Sequence, residues 1–472
     1  MPGTLNIKTA VALLSVLIAL ALAIIVPAPF DRVQAATLGI VLVTLTLWAT
    51  SVVPNYLGSM VFFAVVLILH LAKPDLVFSG FASAAVWLII SGFVIGSAIN
   101  ISGIGDRMAG VIAPHLTGSY VRLIGGLVLV ATLLGFLMPS SIGRAVALVP
   151  IGMALAHRVG FAPGSNGRIG IAVTLAVACN MPGFTILPSN IPNMVLTGAA
   201  ETIYGTHFGY LDYLMLHFPI LGVLKSAAVV LLVVKLFPAT VGEPLANAGS
   251  AKAEGGEKGK PAQAAQPGAG LRVSIILLIT LALWATDKLH GINPAWIGLG
   301  TAVILLMPKI GVVPPPAFKA SADFGSILFV AGALALGAVV NTSGLGTLIG
   351  SGLLKVLPLE QGQNALNFFS LSLMSFFTGF VTTTPGVPAV LTPLAKEISA
   401  VTGFNLETVL MTQVVGFSTV VFPFQVAPLV VAMQLSGEKL GSLLKLTAPL
   451  AAITLIVLLP LDYLWWALLG WF

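Results

Sequence analysis

Two similar short segments, each followed by a polar break between apolar stretches, constrain this chain more than any other feature. Residues 100–105 read Asn-Ile-Ser-Gly-Ile-Gly, and residues 341–346 read Asn-Thr-Ser-Gly-Leu-Gly. Farther along each half lies a hydroxyl-rich break, Pro-Ser-Ser-Ile-Gly at 139–143 and Thr-Thr-Thr-Pro-Gly at 382–386. Interrupted apolar segments at corresponding positions of two halves are typical of a membrane transporter's binding site.

The composition fits only a membrane protein. The 472 residues are 58% hydrophobic and 8% charged. Long, continuous apolar runs predict an all-α polytopic membrane protein, and they argue against a β-barrel, whose strands alternate. The single Cys179 excludes an internal disulfide. We interpret the net charge of +6 as a topology signal, and we expect no nucleic-acid partner.

The apolar runs predict eleven membrane spans and two re-entrant hairpins. The spans lie near 8–27, 37–53, 55–72, 84–101, 167–193, 212–237, 272–287, 294–308, 325–341, 406–434 and 445–470. The hairpin arms lie near 121–138 and 144–156, and near 366–381 and 387–399. Each arm is short for a full span, which favours a hairpin that enters the bilayer and returns. We expect the first span to be retained rather than cleaved as a signal peptide.

The distribution of basic residues predicts the orientation. With a cytoplasmic N-terminus, most Lys and Arg residues fall on the inner side, and we count Lys225 among them. Residues 103–118 contain Asp106, Arg107 and His115 and predict an interfacial helix. The ninth span then crosses opposite to the fourth, so the two repeats are inverted.

A broken helix offers two kinds of ligand group. Unpaired N–H groups at one new end suit an anion, and unpaired carbonyls beside hydroxyls at the other suit Na⁺. No Asp or Glu falls within a hairpin tip or a broken-helix loop, and we place Asp106, Asp323 and Asp462 near membrane ends. This argues against a proton-coupled cation antiporter, which needs a buried carboxylate, and favours an anionic substrate.

Arg144 is the exceptional charge, because it begins a hairpin arm three residues after Ser141. A cation at membrane depth is a functional candidate. Three interpretations remain open: it pairs with an oxyanion, it takes the place of a bound Na⁺, or it reaches the cytoplasmic face or Asp106.

These motifs resemble the divalent anion–sodium symporter family, which carries dicarboxylates, citrate or sulfate. The family has two Ser-Asn-Thr hairpin tips, each ten residues before a proline. Counting back from Pro150 and Pro393 places the tips at 140–142 and 383–385. The family's Gly-Thr-Pro-Pro-Asn loop is similar to residues 189–193, whereas its second copy keeps only Pro428. Both tip Asn residues are replaced, which identifies a divergent member with altered coupling.

The breaks, the charge and the resemblance together give the candidate residues. The substrate candidates are Ser140, Ser141, Gly143, Arg144, Pro188, Thr383, Thr384 and Gly386. The candidates for contact with Na⁺, the expected coupling ion, are Ser140, Ser189, Asn190, Asn193, Thr383, Ser418 and Thr419.

The resemblance also implies a domain plan and an assembly. Scaffold helices hold a homodimer in the bilayer, and transport domains move like elevators. The plan comprises scaffold helices 1–78, a first transport half 79–201, a helix 202–238, a flexible cytoplasmic linker 239–271, scaffold helices 272–319, a second transport half 320–435 and a last helix 436–472. The expected location is a bacterial inner membrane.

The expected function is secondary active transport of a small oxyanion by alternating access, coupled to Na⁺. A cation antiporter of the same superfamily is the nearest alternative. An intramembrane enzyme is less favoured because no catalytic Asp pair, Ser–His pair or zinc motif is apparent. A passive channel is less favoured because inverted repeats indicate alternating access.

Overall fold

A computed structural model describes residues 7–104, 118–241, 268–353 and 356–472. This part of the chain is helical and contains no β-strand. The predicted interfacial helix with Asp106, Arg107 and His115 lies outside the described residues, as does most of the predicted linker 239–271.

Eighteen principal helices follow one another along the described chain. Those before residue 242 are α1 (Ile7–Ile25), α2 (Arg32–Thr50), α3 (Asn55–Ile68), α4 (Ala84–Ser102), α5 (Tyr120–Leu137), α6 (Ser141–Arg158), α7 (Asn166–Ala178), α8 (Ile191–Tyr204) and α9 (Tyr210–Leu236). Those after residue 267 are α10 (Ala269–Ala285), α11 (Pro294–Leu306), α12 (Phe324–Thr342), α13 (Leu345–Leu353), α14 (Asn364–Val381), α15 (Gly386–Thr402), α16 (Leu406–Phe417), α17 (Ala427–Ser436) and α18 (Gly441–Leu468).

Nine of the described helices are long and apolar enough to cross a membrane, and four shorter apolar helices accompany them. Helix α1 shows why the environment must be lipid, because only 6% of its apolar window is buried within the protein. The chain is therefore an integral, polytopic helical membrane protein, as predicted from its composition. The number of eleven spans stays a prediction.

Four helix interruptions occur at the predicted places. The breaks at 138–140 and 382–385 separate α5 from α6 and α14 from α15, and the two helices at each break contact one another. Residues 179–190 separate α7 from α8, and residues 418–426 separate α16 from α17. Pro and Gly cannot continue a regular helix at these points, and short 3₁₀ turns replace it.

The repeated Asn-x-Ser-Gly segments end equivalent helices. Gly103 follows α4 with φ +66° and Gly344 follows α12 with φ +74°. Their N–H groups donate to the carbonyls of Asn100 and Asn341. The left-handed conformation favours glycine, so the motif is a helix stop in both halves.

The two halves interlock rather than lying side by side. Helix α3 packs on α12 of the other half, and α11 packs on α4. Helix α8 packs on α12, and α6 packs on α17. This exchange of partners brings the four breaks together.

Candidate functional site

A cavity of about 750 Å³ lies where the breaks converge. Both hairpin tips and both broken-helix loops line it. Helices α3, α4 and the start of α12 complete its wall. The predicted site residues that line it are Ser140, Ser141, Gly143, Ser189, Asn190, Thr383 and Thr384.

Three of the four helices that follow a break begin at this cavity. Helix α6 begins at Ser141, α8 at Ile191 and α17 at Ala427, and all three residues are in its lining. The N-terminus of a helix carries partial positive charge and unpaired N–H groups. Ser140 caps α6 by accepting from the N–H of Gly143 at 3.1 Å, which leaves the Ser140 hydroxyl proton for a bound anion. These helix ends contribute partial positive charge, and the described lining contains the carboxylate of Asp323 but no Lys or Arg side chain.

Two buried polar atoms in the wall lack a partner. The amide Nδ2 of Asn180 and the hydroxyl Oγ1 of Thr383 make no hydrogen bond within the protein. Both residues line the cavity. Because a buried unpaired donor costs about 1–3 kcal/mol, pairing of these two atoms would stabilise the protein. Asn180 was not among the predicted contacts.

Arg144 does not line the cavity but lies behind its wall, 1% exposed. Its Nε donates to the carbonyl of Cys179 at 2.8 Å, and one Nη donates to the carbonyl of Met138. These two carbonyls belong to the C-cap residues of α7 and α5. Ser189 contributes its hydroxyl at 2.8 Å and its carbonyl at 3.4 Å, and the Ser141 hydroxyl lies 3.0 Å from the other Nη.

Every N–H of this guanidinium therefore faces an oxygen. A guanidinium has five N–H donors. We call its five acceptors, which are the carbonyls of Met138, Cys179 and Ser189 and the hydroxyls of Ser141 and Ser189, the oxygen cage. The interpretation that Arg144 reaches the cytoplasmic face is wrong, because the side chain is fully enclosed. Removing it would leave two helix-end carbonyls unpaired, each costing about 1–3 kcal/mol.

The cage is closely packed. A Cβ added at Gly183 would lie 2.6 Å from an Arg144 Nη and 2.8 Å from the Ser189 hydroxyl. Only glycine allows the loop between α7 and α8 to approach the guanidinium so closely.

Hydrogen bonds join the first hairpin tip to that loop. The Ser141 hydroxyl donates to Asn190 Oδ1, and Asn190 Nδ2 donates to the carbonyl of Asn180 at 2.9 Å. Asn193 Nδ2 donates to the carbonyls of Gly183 and Ile186, both at 3.0 Å. Asn193 lies outside the cavity lining, so its visible role is to hold the loop.

Hydrogen bonds of Gln425 join the two sides of the second break. Its Nε2 donates to the carbonyl of Gly379 at 2.8 Å, and its Oε1 accepts from the N–H groups of Val421 and Phe422. Its backbone carbonyl accepts from the N–H of Thr384 at 3.1 Å. Val426 precedes α17 as Asn190 precedes α8, so the side chain at this position is apolar in the second loop.

The structure does not bring the remaining candidates to the cavity. Pro188 and Gly386 are buried outside its lining. The hydroxyls of Ser418 and Thr419 both donate to the carbonyl of Val415. They stabilise the end of α16, and neither residue lines the cavity.

Two charges predicted to lie at membrane surfaces are buried instead. Lys225, counted on the inner side, lies near the middle of α9 and is 2% exposed. Its Nζ donates to the carbonyl of Ser418 at 2.8 Å. Asp462, placed near a membrane end, is 0% exposed and lies within electrostatic reach of Lys225. The placement of Asp462 near a membrane end stays a prediction, but its burial inside the protein was not predicted.

Asp462 does not line the cavity. Its burial therefore does not remove the argument against a proton-coupled cation antiporter, which concerns carboxylates at the binding site. The one carboxylate in the described lining is that of Asp323, which caps α12 by accepting from the N–H and hydroxyl of Ser326. No cluster of His, Cys, Asp and Glu that could hold a metal occurs among the residues described.

Known proteins are similar to this chain in sequence and in fold. Residues 6–472 match the family described as the sodium:sulfate symporter transmembrane region. A membrane protein of Cupriavidus necator is 25% identical over 83% of this chain and 76% of its own. The dicarboxylate transporter 2.2, chloroplastic, of Arabidopsis thaliana is 29% identical over 27% of this chain and 24% of its own.

A solved structure supports the fold alone. The YdaH transporter of Alcanivorax borkumensis superposes with a TM-score of 0.54 at 15% identity, covering 93% of this chain and 99% of that one. The family match extends over nearly the whole sequence, so the resemblance carried by the hairpin tips is confirmed. The chain belongs to the divalent anion–sodium symporter family of membrane transporters.

Proposed function

We propose that this protein moves a small oxyanion, a dicarboxylate, tricarboxylate or sulfate, across the membrane by alternating access. The observation that carries the proposal is the wall of the cavity. The N-termini of three helices that follow a break line one cavity, and its lining residues include Asn180 and Thr383, each with an unpaired polar atom. Such a wall attracts negative charge and offers hydrogen-bond donors to carboxylate or sulfate oxygens.

The position of the cavity suits an elevator mechanism. Hairpin tips from 79–201 and 320–435 form one side, and Asn55 and Tyr56 of α3, in the segment proposed as scaffold, form another. A substrate held between two such bodies changes its access when one slides against the other. We extend the proposal to a homodimer of scaffold domains in a bacterial inner membrane, with the N-terminus in the cytoplasm.

Uptake of radiolabelled succinate, citrate and sulfate into proteoliposomes tests the function. The family name includes sodium and sulfate, so each anion is offered with an inward Na⁺ gradient and with K⁺ in its place. Accumulation of at least one anion supports the proposal. Movement of Na⁺ or protons without any anion would instead support the antiporter alternative.

The substitution Asn180→Asp tests whether the anion binds in this cavity. It keeps the size of the side chain but replaces a neutral amide of a cavity-lining residue with a carboxylate. We expect at least a tenfold weaker apparent affinity, which corresponds to about 1.4 kcal/mol. Asn180→Ala is the control for loss of the donor alone, and its effect should be smaller. Equal affinity of Asn180→Asp and the wild-type protein would place the anion elsewhere.

A further inference from the structure

We propose that Arg144 is a built-in cation, which occupies the oxygen cage of the first break and makes a separate Na⁺ unnecessary there. The inference rests on the proposed anion transport, and it concerns how the transported charge is balanced. It argues against the predicted Na⁺ contacts at Ser189 and Asn190.

The chemistry of the cage is that of a cation site. Its carbonyls of Met138 and Cys179 lie at the C-terminal ends of α5 and α7, where the helix dipoles are negative. The carbonyl and hydroxyl of Ser189 and the hydroxyl of Ser141 complete it. Carbonyls at broken-helix ends coordinate Na⁺ in transporters. Here the guanidinium of Arg144 donates hydrogen bonds to all of the carbonyls of the cage.

The cage has no visible space for a second cation. Arg144 is 1% exposed, and Gly183 is needed for the loop to fit against its Nη. No carboxylate of the described chain lies within ion-pair distance of the guanidinium. The positive charge is thus retained behind the wall that faces the anion, one hydrogen bond away through the Ser141 hydroxyl.

The equivalent position in the other half shows that the fold does not require a cation there. Counted from Pro150 and Pro393, Arg144 corresponds to Val387, which is fully buried in α15. A hairpin arm of this kind folds with an apolar side chain. Arg144 therefore adds charge to the first half beyond what the hairpin itself needs.

Arg144→Ser tests the inference, because it removes the charge and frees the cage oxygens for Na⁺. We expect Arg144→Ser to transport poorly in K⁺ and at least tenfold faster in saturating Na⁺, the change expected when an ion must fill a required site. The reversal potential should show one more Na⁺ carried per anion than in the wild-type protein. Arg144→Lys, which keeps the charge, should retain the wild-type ion dependence.

Thermal unfolding in Na⁺ and in K⁺ provides a readout that does not need transport. Na⁺ should raise the Tm of Arg144→Ser more than that of the wild-type protein. Val387→Ser is the control at the equivalent position of the other half, because it introduces the same side chain without removing a cation, and it should show only the wild-type response. If no variant transports any oxyanion, the proposed function fails, while the difference in Tm still decides the role of Arg144.

Unchanged Na⁺ stoichiometry and no additional Na⁺ stabilisation in Arg144→Ser would overturn the inference. Arg144→Asn is the second neutral variant, in case serine is too small for the folded state. Because Na⁺ that fits the cage should rescue folding, failure of both neutral variants to give monodisperse protein in Na⁺ would also overturn it.

Discussion

The two halves bring equivalent breaks to one cavity but close them with different side chains. In the first break, the guanidinium of Arg144 joins the ends of α5 and α7 to the loop before α8. In the second, Val387 stands at the corresponding position, and the neutral amide of Gln425 joins α14 to the loop before α17. Both solutions satisfy helix-end groups, but only the first adds charge.

The two halves also differ in the surroundings of their buried cations. The carbonyl of Ser418 in the second half also meets a cation, Lys225, but that residue lies on α9 beside the buried Asp462. The carboxylate of Asp462 lies within electrostatic reach of Lys225, beyond ion-pair distance, whereas no carboxylate of the described chain acts on Arg144 in this way. The first half therefore places a cation without a carboxylate partner behind the cavity wall, and the second closes its break with neutral groups.

Val387→Arg tests whether the second break can hold the charge that the first break holds, and it has the largest expected effect. Val387 is fully buried in the hydrophobic core, so the substitution would bury a charge and overfill a packed site. We expect a loss of several kcal/mol, enough to prevent folding. Size-exclusion chromatography should show aggregated protein, while the control Val387→Leu stays monodisperse. A folded Val387→Arg protein would show that the two breaks are interchangeable.

Lys225→Met should have the next largest effect. It removes the positive neighbour of the buried Asp462 and the donor to the carbonyl of Ser418. Because the two charges are beyond ion-pair distance, we expect a cost below that of a broken buried ion pair, which is about 3–5 kcal/mol. Adding Asp462→Leu removes the second charge and should restore most of the stability. The Tm of the two single variants and the double variant forms a cycle. Additive losses would mean that the two charges do not interact.

The places of the breaks could be predicted from sequence. Pro182 and Pro188 cannot continue a helix between α7 and α8, and Pro385 and Pro423 mark the breaks of the second half. The repeated Asn-x-Ser-Gly segments gave the correspondence between halves, because Gly103 and Gly344 must adopt the same left-handed turn. Local chemistry determines these features, so they are visible in single segments.

The partners of the buried charges could not be predicted in the same way. The guanidinium of Arg144 binds backbone carbonyls of Cys179 and Ser189, and a carbonyl has no identity in the sequence. Lys225 and Asp462 looked like surface charges because their burial depends on how α9 packs against α18. Asn180 was visible as a polar residue in a break, but only tertiary packing shows that its amide is unpaired in the cavity.

Ser141→Ala and Thr384→Val form the mildest and most direct test of the asymmetry, because they remove equivalent hydroxyls from the two tips. The Ser141 hydroxyl joins Arg144 to Asn190, whereas the Thr384 hydroxyl shares the carbonyl of Gln425 with the residue's own N–H. Losing one bond to a charged group costs about 1.5–3 kcal/mol, and losing a shared neutral bond costs less. We therefore expect Ser141→Ala to raise the apparent KM about tenfold while the protein stays folded, and Thr384→Val to change it less than about twofold. Initial uptake rates in proteoliposomes measure both, and a larger effect at Thr384 would locate the charge-dependent contact in the second half.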